Sequence, residues 1–283
     1  MASIGQSATL TSVREEDHGF YLDAGGELGE VLLPRRELPP RRRLGDTFDV
    51  FLYRDSEDRP VATLKQPTIR PGEFGYLEVI EVTPVGAFLD WGLPKDLLLP
   101  FGETRERLEV GRSYVVHVHV DPETDRIVAS RRLSRHLSKE APSYKEGEEV
   151  DLILFGKTDL GYKAIINGKH QGLLYASQVF RRLRAGEKTK GYVTQVRPDG
   201  KIDLSLYLSG PERFDELEER ILAELQHRGG SWSLCDSSPA EDIYEALGVS
   251  KKAFKRATGA LYRKRRIVIG KDGIKVVDPA PGA

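Results

Sequence analysis

The feature that most constrains this chain is a pattern of glycines and strand ends that occurs three times. In each copy a glycine follows a strand-like run, a strand ends 14 or 15 residues later, and a second glycine opens another strand 11 residues further on. The three sets are Gly19, Pro34 and Gly45; Gly86, Pro100 and Gly111; and Gly161, Tyr175 and Gly186. Because insertions and deletions would scramble such offsets in unrelated segments, we predict three copies of one ancestral unit.

Each copy is predicted to be a small barrel of five short strands, since a repeat of 66 to 75 residues is typical of five short strands rather than of paired βαβ crossovers. The second copy is the clearest, with runs rich in Val, Tyr, Phe and Ile. Proline-containing linkers at 66–68 and 141–143 delimit domains at 1–68, 69–138 and 143–210. The short tethers favour stacked barrels, and each barrel is expected to be a separate folding unit.

The pattern changes to helical spacing after Pro211. A first helix is followed by a short strand, a second helix ending at Gly248, and a third helix capped by Ser250. Two strands around a Lys271–Gly273 turn close the chain. This order predicts a winged helix-turn-helix domain over 211–283. The fold class is therefore multi-domain and mainly β, with three tandem barrels and an α+β winged helix.

Composition narrows the function classes. The net charge of −1 gives no global basic signature, so any nucleic-acid contacts must come from local patches. The lone cysteine, Cys235, excludes an internal disulfide and fits a reducing compartment. Neither a signal peptide nor an apolar run of membrane-spanning length is evident. We expect a cytoplasmic protein that does not bind a membrane, with no cofactor and no metal.

The repeated units resemble S1-type RNA-binding domains, which are OB-fold barrels. The second copy carries the motif best, as Gly86-Ala87-Phe88-Leu89-Asp90. The hairpin of the motif ends in a basic residue that opens the tail of the pattern, at Arg126 in the second copy and Lys201 in the third. The phenylalanine slot holds Tyr21, Phe88 and Lys163, and the usual histidine at the end of strand three is replaced by Pro34, Pro100 and Tyr175. Binding strength is therefore expected to differ among copies, and the first copy could be mainly structural.

The whole architecture resembles the conserved virulence factor B family of bacteria, with tandem S1-type units followed by a winged helix. The stretch from Asp236 to Ile274 is the sharpest match. The resemblance implies RNA binding and post-transcriptional regulation.

Aromatic side chains stack on unpaired bases. The best-placed rings are Phe88, Trp91, Phe101, Tyr162 and Tyr175, with Tyr21 in the equivalent slot of the first copy. Each could instead pack in a barrel interior, because aromatic residues are strong strand formers. The positions of Trp91 and Phe101 at strand ends beside turns favour surface stacking.

Basic residues cluster in the connection between strands three and four of the first and third copies. These are Arg35, Arg36, Arg41, Arg42 and Arg43, and then Arg181, Arg182, Arg184, Lys188 and Lys190. The third helix of the winged domain carries the strongest charge signal: nine Lys or Arg and no acid between Gly248 and Lys271. Its cationic face is predicted to hold Lys251, Lys252, Lys255, Arg256 and Arg263, opposite Phe254, Ala257 and Leu261.

Three alternatives to a protein that only binds RNA stay open: a metal site, a DNA-binding regulator and an enzyme. His117 and His119 alternate on a strand, but no Cys or further His stands near them, which argues against a metal site. No phosphate-binding loop or catalytic triad is evident, so a non-enzymatic protein that binds single-stranded RNA is the favoured reading. The rivals are a DNA-binding transcription regulator led by the winged helix, and a metal-dependent nuclease with unrecognised carboxylates.

Overall fold

The structure, a computed structural model, describes residues 2–176, 179, 183–207, 212–247, 249 and 251–277. Three closed five-stranded barrels are followed by a region of helices and a three-stranded sheet. The predicted mainly β class, with OB-like barrels and a C-terminal winged helix, is confirmed. The chain divides into two compact units, Met1–Ser138 and Lys139–Ala283.

The first barrel closes by antiparallel pairing of its first and fourth strands, and its third and fifth strands pair in parallel. Its strands are β1 (Ser7–Glu16), β2 (Gly19–Gly25), β3 (Gly29–Pro34), β4 (Thr47–Arg54) and β5 (Pro60–Thr63). A short 3-10 helix, Arg35–Glu37, follows β3. The interior is filled by alternate apolar residues, among them Phe20, Leu22 and Leu33, because successive side chains of a strand point to opposite faces.

The second barrel repeats this topology. Its strands are β6 (Phe74–Thr83), β7 (Gly86–Leu89), β8 (Leu97–Pro100), β9 (Ser113–Val120) and β10 (Ile127–Ser130). Here β6 pairs with β9, and β8 pairs with β10 in parallel. The 3-10 helices Phe101–Glu103 and Leu133–Arg135 follow β8 and β10.

The first two barrels share a hydrophobic core. Strand β4 is buried on both faces: Val50 and Leu52 fill the first barrel, whereas Phe51 and Tyr53 belong to the cluster that fills the second. The ring of Phe51 packs edge-on against that of Trp91, with centroids 6.0 Å apart. The unbroken apolar run of β4 is therefore explained by contact with two cores.

The third barrel has the same strand order and the same parallel closing pair. Its strands are β11 (Glu149–Thr158), β12 (Gly161–Ile166), β13 (His170–Tyr175), β14 (Lys188–Val196) and β15 (Ile202–Ser205). The first strand of each barrel also carries a register shift against the second, after Ser12, Val79 and Leu154. The predicted end of the third domain, at residue 210, lies outside the described residues.

The repeated glycine at the start of the second strand has one physical cause in all three barrels. A Cβ at Gly19, Gly86 or Gly161 would lie 2.1, 2.4 or 2.0 Å from a backbone carbonyl oxygen of the third strand. Any side chain would force the strands apart. The predicted three-fold repeat thus reflects one close approach between neighbouring strands.

The C-terminal region contains α1 (Glu212–His227), β16 (Ser231–Trp232), α2 (Ala240–Leu247), α3 (Lys251–Arg263), β17 (Ile267–Gly270) and β18 (Gly273–Val276). The sheet order is β16-β18-β17. Leu225, Ile243, Phe254 and Leu261 join in one core beneath the sheet. The predicted helix end Gly248 and cap Ser250 lie outside the described residues. Among the residues described, no helix is both long and apolar enough to cross a membrane.

Candidate nucleic-acid interface

The slot that S1-type motifs fill with phenylalanine has the same place in all three barrels. Tyr21, Phe88 and Lys163 each lie on the second strand, and each is half-buried. Their register partners on the third strand are Leu32, Leu98 and Leu173. The slot therefore presents a tyrosine, a phenylalanine and a lysine on equivalent outer surfaces.

Phe88 lines a groove of about 270 Å³ in the N-terminal unit. Its apolar lining includes Leu98, Val128 and the exposed Val85 from the second barrel, and Tyr53 from the first. An aromatic ring on an apolar floor, open to solvent at one side, can accept a flat base. The other lining residues are Arg54, Ser56, Asp58, Trp91, Lys95, Asp96, Arg126 and Ile127.

The cations of this Phe88 groove are held by ion pairs and backbone carbonyls. Arg126 makes a two-pronged ion pair with Asp58, and these hydrogen bonds hold the pKa of Asp58 below its usual range. Arg54 pairs with Asp125 at 2.6 Å. The Lys95 ammonium donates to the carbonyl oxygens of Arg54 and Asp55, and burial lowers its pKa. Arg126, predicted as a nucleic-acid contact, thus already joins the two barrels.

The two aromatic residues predicted to stack at strand ends differ in exposure. Trp91 is only 3% exposed and donates its indole N–H to the carbonyl of Lys95 at 2.6 Å. The expectation that Trp91 lies at the surface is wrong, because its ring completes the core shared by the two barrels. Phe101 is 43% exposed in the short helix after β8, where it can meet a ligand.

In the first barrel the slot residue Tyr21 is covered. The Arg14 guanidinium lies 3.8 Å from the centre of the ring and also pairs with Glu30 at 2.9 Å. Nearby, Arg35 is tied to the carbonyls of Glu16 and Asp17. Of the predicted basic cluster, Arg36, Arg41 and Arg43 are exposed.

The third barrel has a basic groove of its own. Tyr162 lines a groove of about 270 Å³ together with Lys157 and Arg184, and the Lys157 ammonium lies 5.7 Å from the centre of the ring. Two predicted contacts are engaged elsewhere. The Tyr175 hydroxyl donates to Asp203, and Lys201 pairs with Asp199 at 2.7 Å.

The remaining basic residues of the third barrel divide three ways. Lys190 pairs with Asp151 at 2.9 Å, whereas Lys188 is exposed. Arg181 and Arg182, predicted in the same cluster, lie outside the described residues.

Helix α3 separates charge from core as predicted, with one correction. Phe254, Ala257 and Leu261 are buried, and the opposite face exposes Lys252, Lys255, Arg256 and Arg263. Lys251 does not belong to that face, because it is half-buried and donates to the Ser238 carbonyl at 2.7 Å. We call Lys252, Lys255, Arg256 and Arg263 the α3 stripe.

Tyr262 is a candidate that the sequence reasoning missed. It is 55% exposed and lies two helical turns after Lys255, beside the α3 stripe. Its helical position was the available signal, since it falls between the charged and the buried faces. An exposed ring next to cations offers stacking beside phosphate contacts.

Comparison with known proteins shows which domain families these domains match. Residues 4–65 and 71–131 match the S1 domain model, and residues 219–276 match the CvfB-like winged helix domain. The uncharacterized protein YitL of Bacillus subtilis is 29% identical over 93% of this chain and 90% of its own length. Conserved virulence factor B of Staphylococcus epidermidis is 24% identical over 80% of this chain and 78% of its own.

A solved structure is also similar over nearly the whole chain. It is a Streptococcus pneumoniae multidomain protein described as having nucleic acid binding domains, 24% identical, with a TM-score of 0.44 over 97% of this chain and 98% of that one. The family assignment rests on the domain matches and on the curated relatives. With S1 domains in its first two barrels and a CvfB-like winged helix at residues 219–276, the chain belongs to the CvfB family.

Proposed function

We propose that this chain is a non-catalytic bacterial protein that binds single-stranded RNA and acts as a post-transcriptional regulator. The observation that carries the proposal is the slot repeated in three barrels. It offers an open aromatic ring at Phe88, a ring covered by Arg14 at Tyr21, and a cation at Lys163, each half-buried on the same outer surface. Rings stack on bases and cations meet phosphates, which are the two contacts that a single strand offers.

The Phe88 groove favours an unpaired strand over a duplex. Its apolar floor lies below the surface, flanked by Asp58, Lys95 and Arg126. A base can reach that floor only when it is splayed out of a stack, as in RNA loops and single strands. The bases of a duplex are stacked and paired and cannot reach this floor, so a bound duplex would leave the ring of Phe88 uncovered.

The exposed cations of α3 add phosphate contacts that need no particular base. Several weak contacts on one chain raise the overall affinity through effective concentration. The expected behaviour is a sequence-tolerant grip that weakens with salt.

A second function is favoured by one observation, the exposed α3 stripe on a winged helix. In helix-turn-helix proteins a helix of this kind enters the major groove of DNA. A DNA-binding regulator would use α3 first and would prefer a duplex.

The deciding experiment compares the full chain on three probes of equal length. These are an unstructured RNA, the DNA of the same sequence, and the DNA duplex, each titrated at about 50 and about 200 mM salt. We expect the RNA to bind most tightly and all three affinities to fall with salt. Tightest binding to the duplex would support the DNA regulator, and no binding at the lower salt would reject both functions.

A further inference from the structure

Three histidines meet on the outside of the second barrel. His117 and His119 lie on one face of β9, and His136 follows the 3-10 helix Leu133–Arg135. The ring of His136 stacks on that of His117, with centroids 4.1 Å apart, and lies 4.7 Å from that of His119. The sequence argument against a metal, that no third ligand stands near, fails because the fold brings in His136.

Each of the three rings keeps a nitrogen with nothing to bind. These atoms are Nδ1 of His117, Nδ1 of His119 and Nε2 of His136, all shut off from solvent and without a hydrogen-bond partner in the described part of the chain. A buried polar atom without a partner is costly, and three around one point call for a shared ligand. One ligand nitrogen from each ring lies within 4.8 Å of the others.

The surroundings prepare His117 for coordination. Its ring is only 7% exposed, packs against Phe74 at 4.7 Å, and makes a hydrogen bond to the backbone of Gly72. Because Nδ1 has no partner, that bond belongs to Nε2. A hydrogen bond at Nε2 fixes the orientation of the imidazole and leaves the lone pair of Nδ1 free to bind a metal.

We propose that His117, His119 and His136 bind a divalent transition-metal ion, with Zn²⁺ the best fit to three imidazoles. Imidazole suits zinc, copper and nickel, whereas magnesium and calcium take oxygen ligands. Zinc holds such nitrogens at about 2.0–2.1 Å, so two ligands on one tetrahedral ion lie about 3.3 Å apart. To reach that spacing the rings must tilt toward one another, since those of His117 and His136 are stacked with 16° between their planes.

No further Cys, His, Asp or Glu belongs to the cluster among the described residues, so a water molecule would complete the tetrahedron. The ion would tie the segment after β10 to β9. Its role is therefore that of a cross-link that fixes where the chain leaves the second barrel.

The test titrates Zn²⁺ into the untagged full chain after removal of metals, in competition with a chromophoric chelator. The variants are His119→Gln and His136→Gln. The matched control is His18→Gln, an exposed histidine outside the cluster. We expect one ion per chain in the parent and the control, and affinity at least tenfold weaker in each cluster variant. Co²⁺ should give the visible absorption of a tetrahedral site.

Two results would overturn the proposal: no stoichiometric binding by the parent, or equal binding by all three variants. A fold control keeps the comparison clear, since the metal-free circular dichroism and melting temperature of each variant must match those of the parent. Hydrogen exchange gives a second, independent readout. Zn²⁺ should slow exchange in β9 and around His136, and protection confined to other segments would also reject the site.

Discussion

Phe88 is the residue on which base stacking depends most directly, because its half-buried ring lines the groove that a base would enter. Phe88→Ala is expected to weaken RNA binding by about 5- to 150-fold, the equivalent of about 1–3 kcal/mol for one stacked base. The matched control is Tyr76→Ala, an exposed aromatic residue of β6 outside the groove. Binding is measured by fluorescence anisotropy. A large fall in melting temperature without a specific binding loss would assign Phe88 to the core.

Gly86 is required by a close contact between strands. In Gly86→Ala the new Cβ would lie 2.4 Å from the carbonyl oxygen of Leu99, so β7 and β8 must separate. We expect the free energy of unfolding of the N-terminal unit to fall by about 2–4 kcal/mol. Gly102→Ala is the control, because no atom lies within 4 Å of its Cβ. Equal urea midpoints for the two variants would contradict this account of the repeat.

His117 makes stability depend on pH. Burial, with the neighbouring His136 and His119, lowers its pKa from 6.5 to about 4. The unfolded chain takes up the proton first, so the native state loses stability as the pH falls from about 6.5 to about 4, by up to about 3 kcal/mol. Urea unfolding with a chelator present, compared between the parent and His117→Gln, isolates this effect. The slope of the unfolding free energy against pH should differ between the two proteins only in that window. Equal slopes throughout would contradict this effect of His117.

Prediction from sequence succeeds for residues whose environment is set by neighbouring strands of their own unit. It fails for residues whose environment depends on segments that are distant in the chain. The glycine repeat follows from a local strand contact, so spacing alone reveals it. Trp91 looked like a surface residue because its burial depends on Phe51 of the other barrel. His136 escaped notice because it is 17 residues from His119 in sequence.

The element that tests phosphate binding is α3. Lys252, Lys255 and Arg263 are exposed opposite the buried face, so a triple change to Ala should leave the fold intact. RNA affinity should fall, and the slope of log affinity against log salt should flatten by up to about 2. The control removes three exposed lysines elsewhere, Lys65, Lys139 and Lys169.

An unchanged slope in the α3 variant would show that the helix does not touch nucleic acid. A slope that flattens equally in the control would attribute the effect to net charge rather than to the α3 stripe. Lys251 is left in place because its bond to the Ser238 carbonyl supports the turn before α2.

At the scale of elements, the strands and helices were predicted well from the sequence. Period-two runs, hairpin turns and helical spacing depend on local backbone preferences, and the predicted strands and helices match those of the structure. The exception within α3 is Lys251, which lies two helical turns before the buried Thr258, at the edge of the buried face, and donates to the Ser238 carbonyl.

For the whole molecule, the shared core changes what the barrels can do alone. Spacing predicted separate folding units, but Phe51, Tyr53 and Val61 of the first barrel are buried in the cluster of the second. The linker is also fixed, since the backbone N–H of Thr68 donates to the Trp91 carbonyl at 2.8 Å. The sequence did hold a sign of this, because β4 is apolar on both faces, which an isolated barrel does not need.

The final prediction follows from that core. A fragment of residues 1–138 should unfold in one cooperative transition, whereas a fragment of residues 1–68 should be several kcal/mol less stable, since burying each large apolar side chain contributes about 1.5–3 kcal/mol. The measurement is urea unfolding followed by circular dichroism for both fragments, and also by Trp91 fluorescence for the fragment of residues 1–138, since residues 1–68 contain no Trp. Within the longer fragment, Phe51→Ala should separate the two transitions, while Tyr76→Ala, on the exposed side of β6, should not. If the first barrel alone is as stable as it is in the pair, the contact between the barrels contributes nothing, and the Phe88 groove that both barrels line would lack a fixed wall.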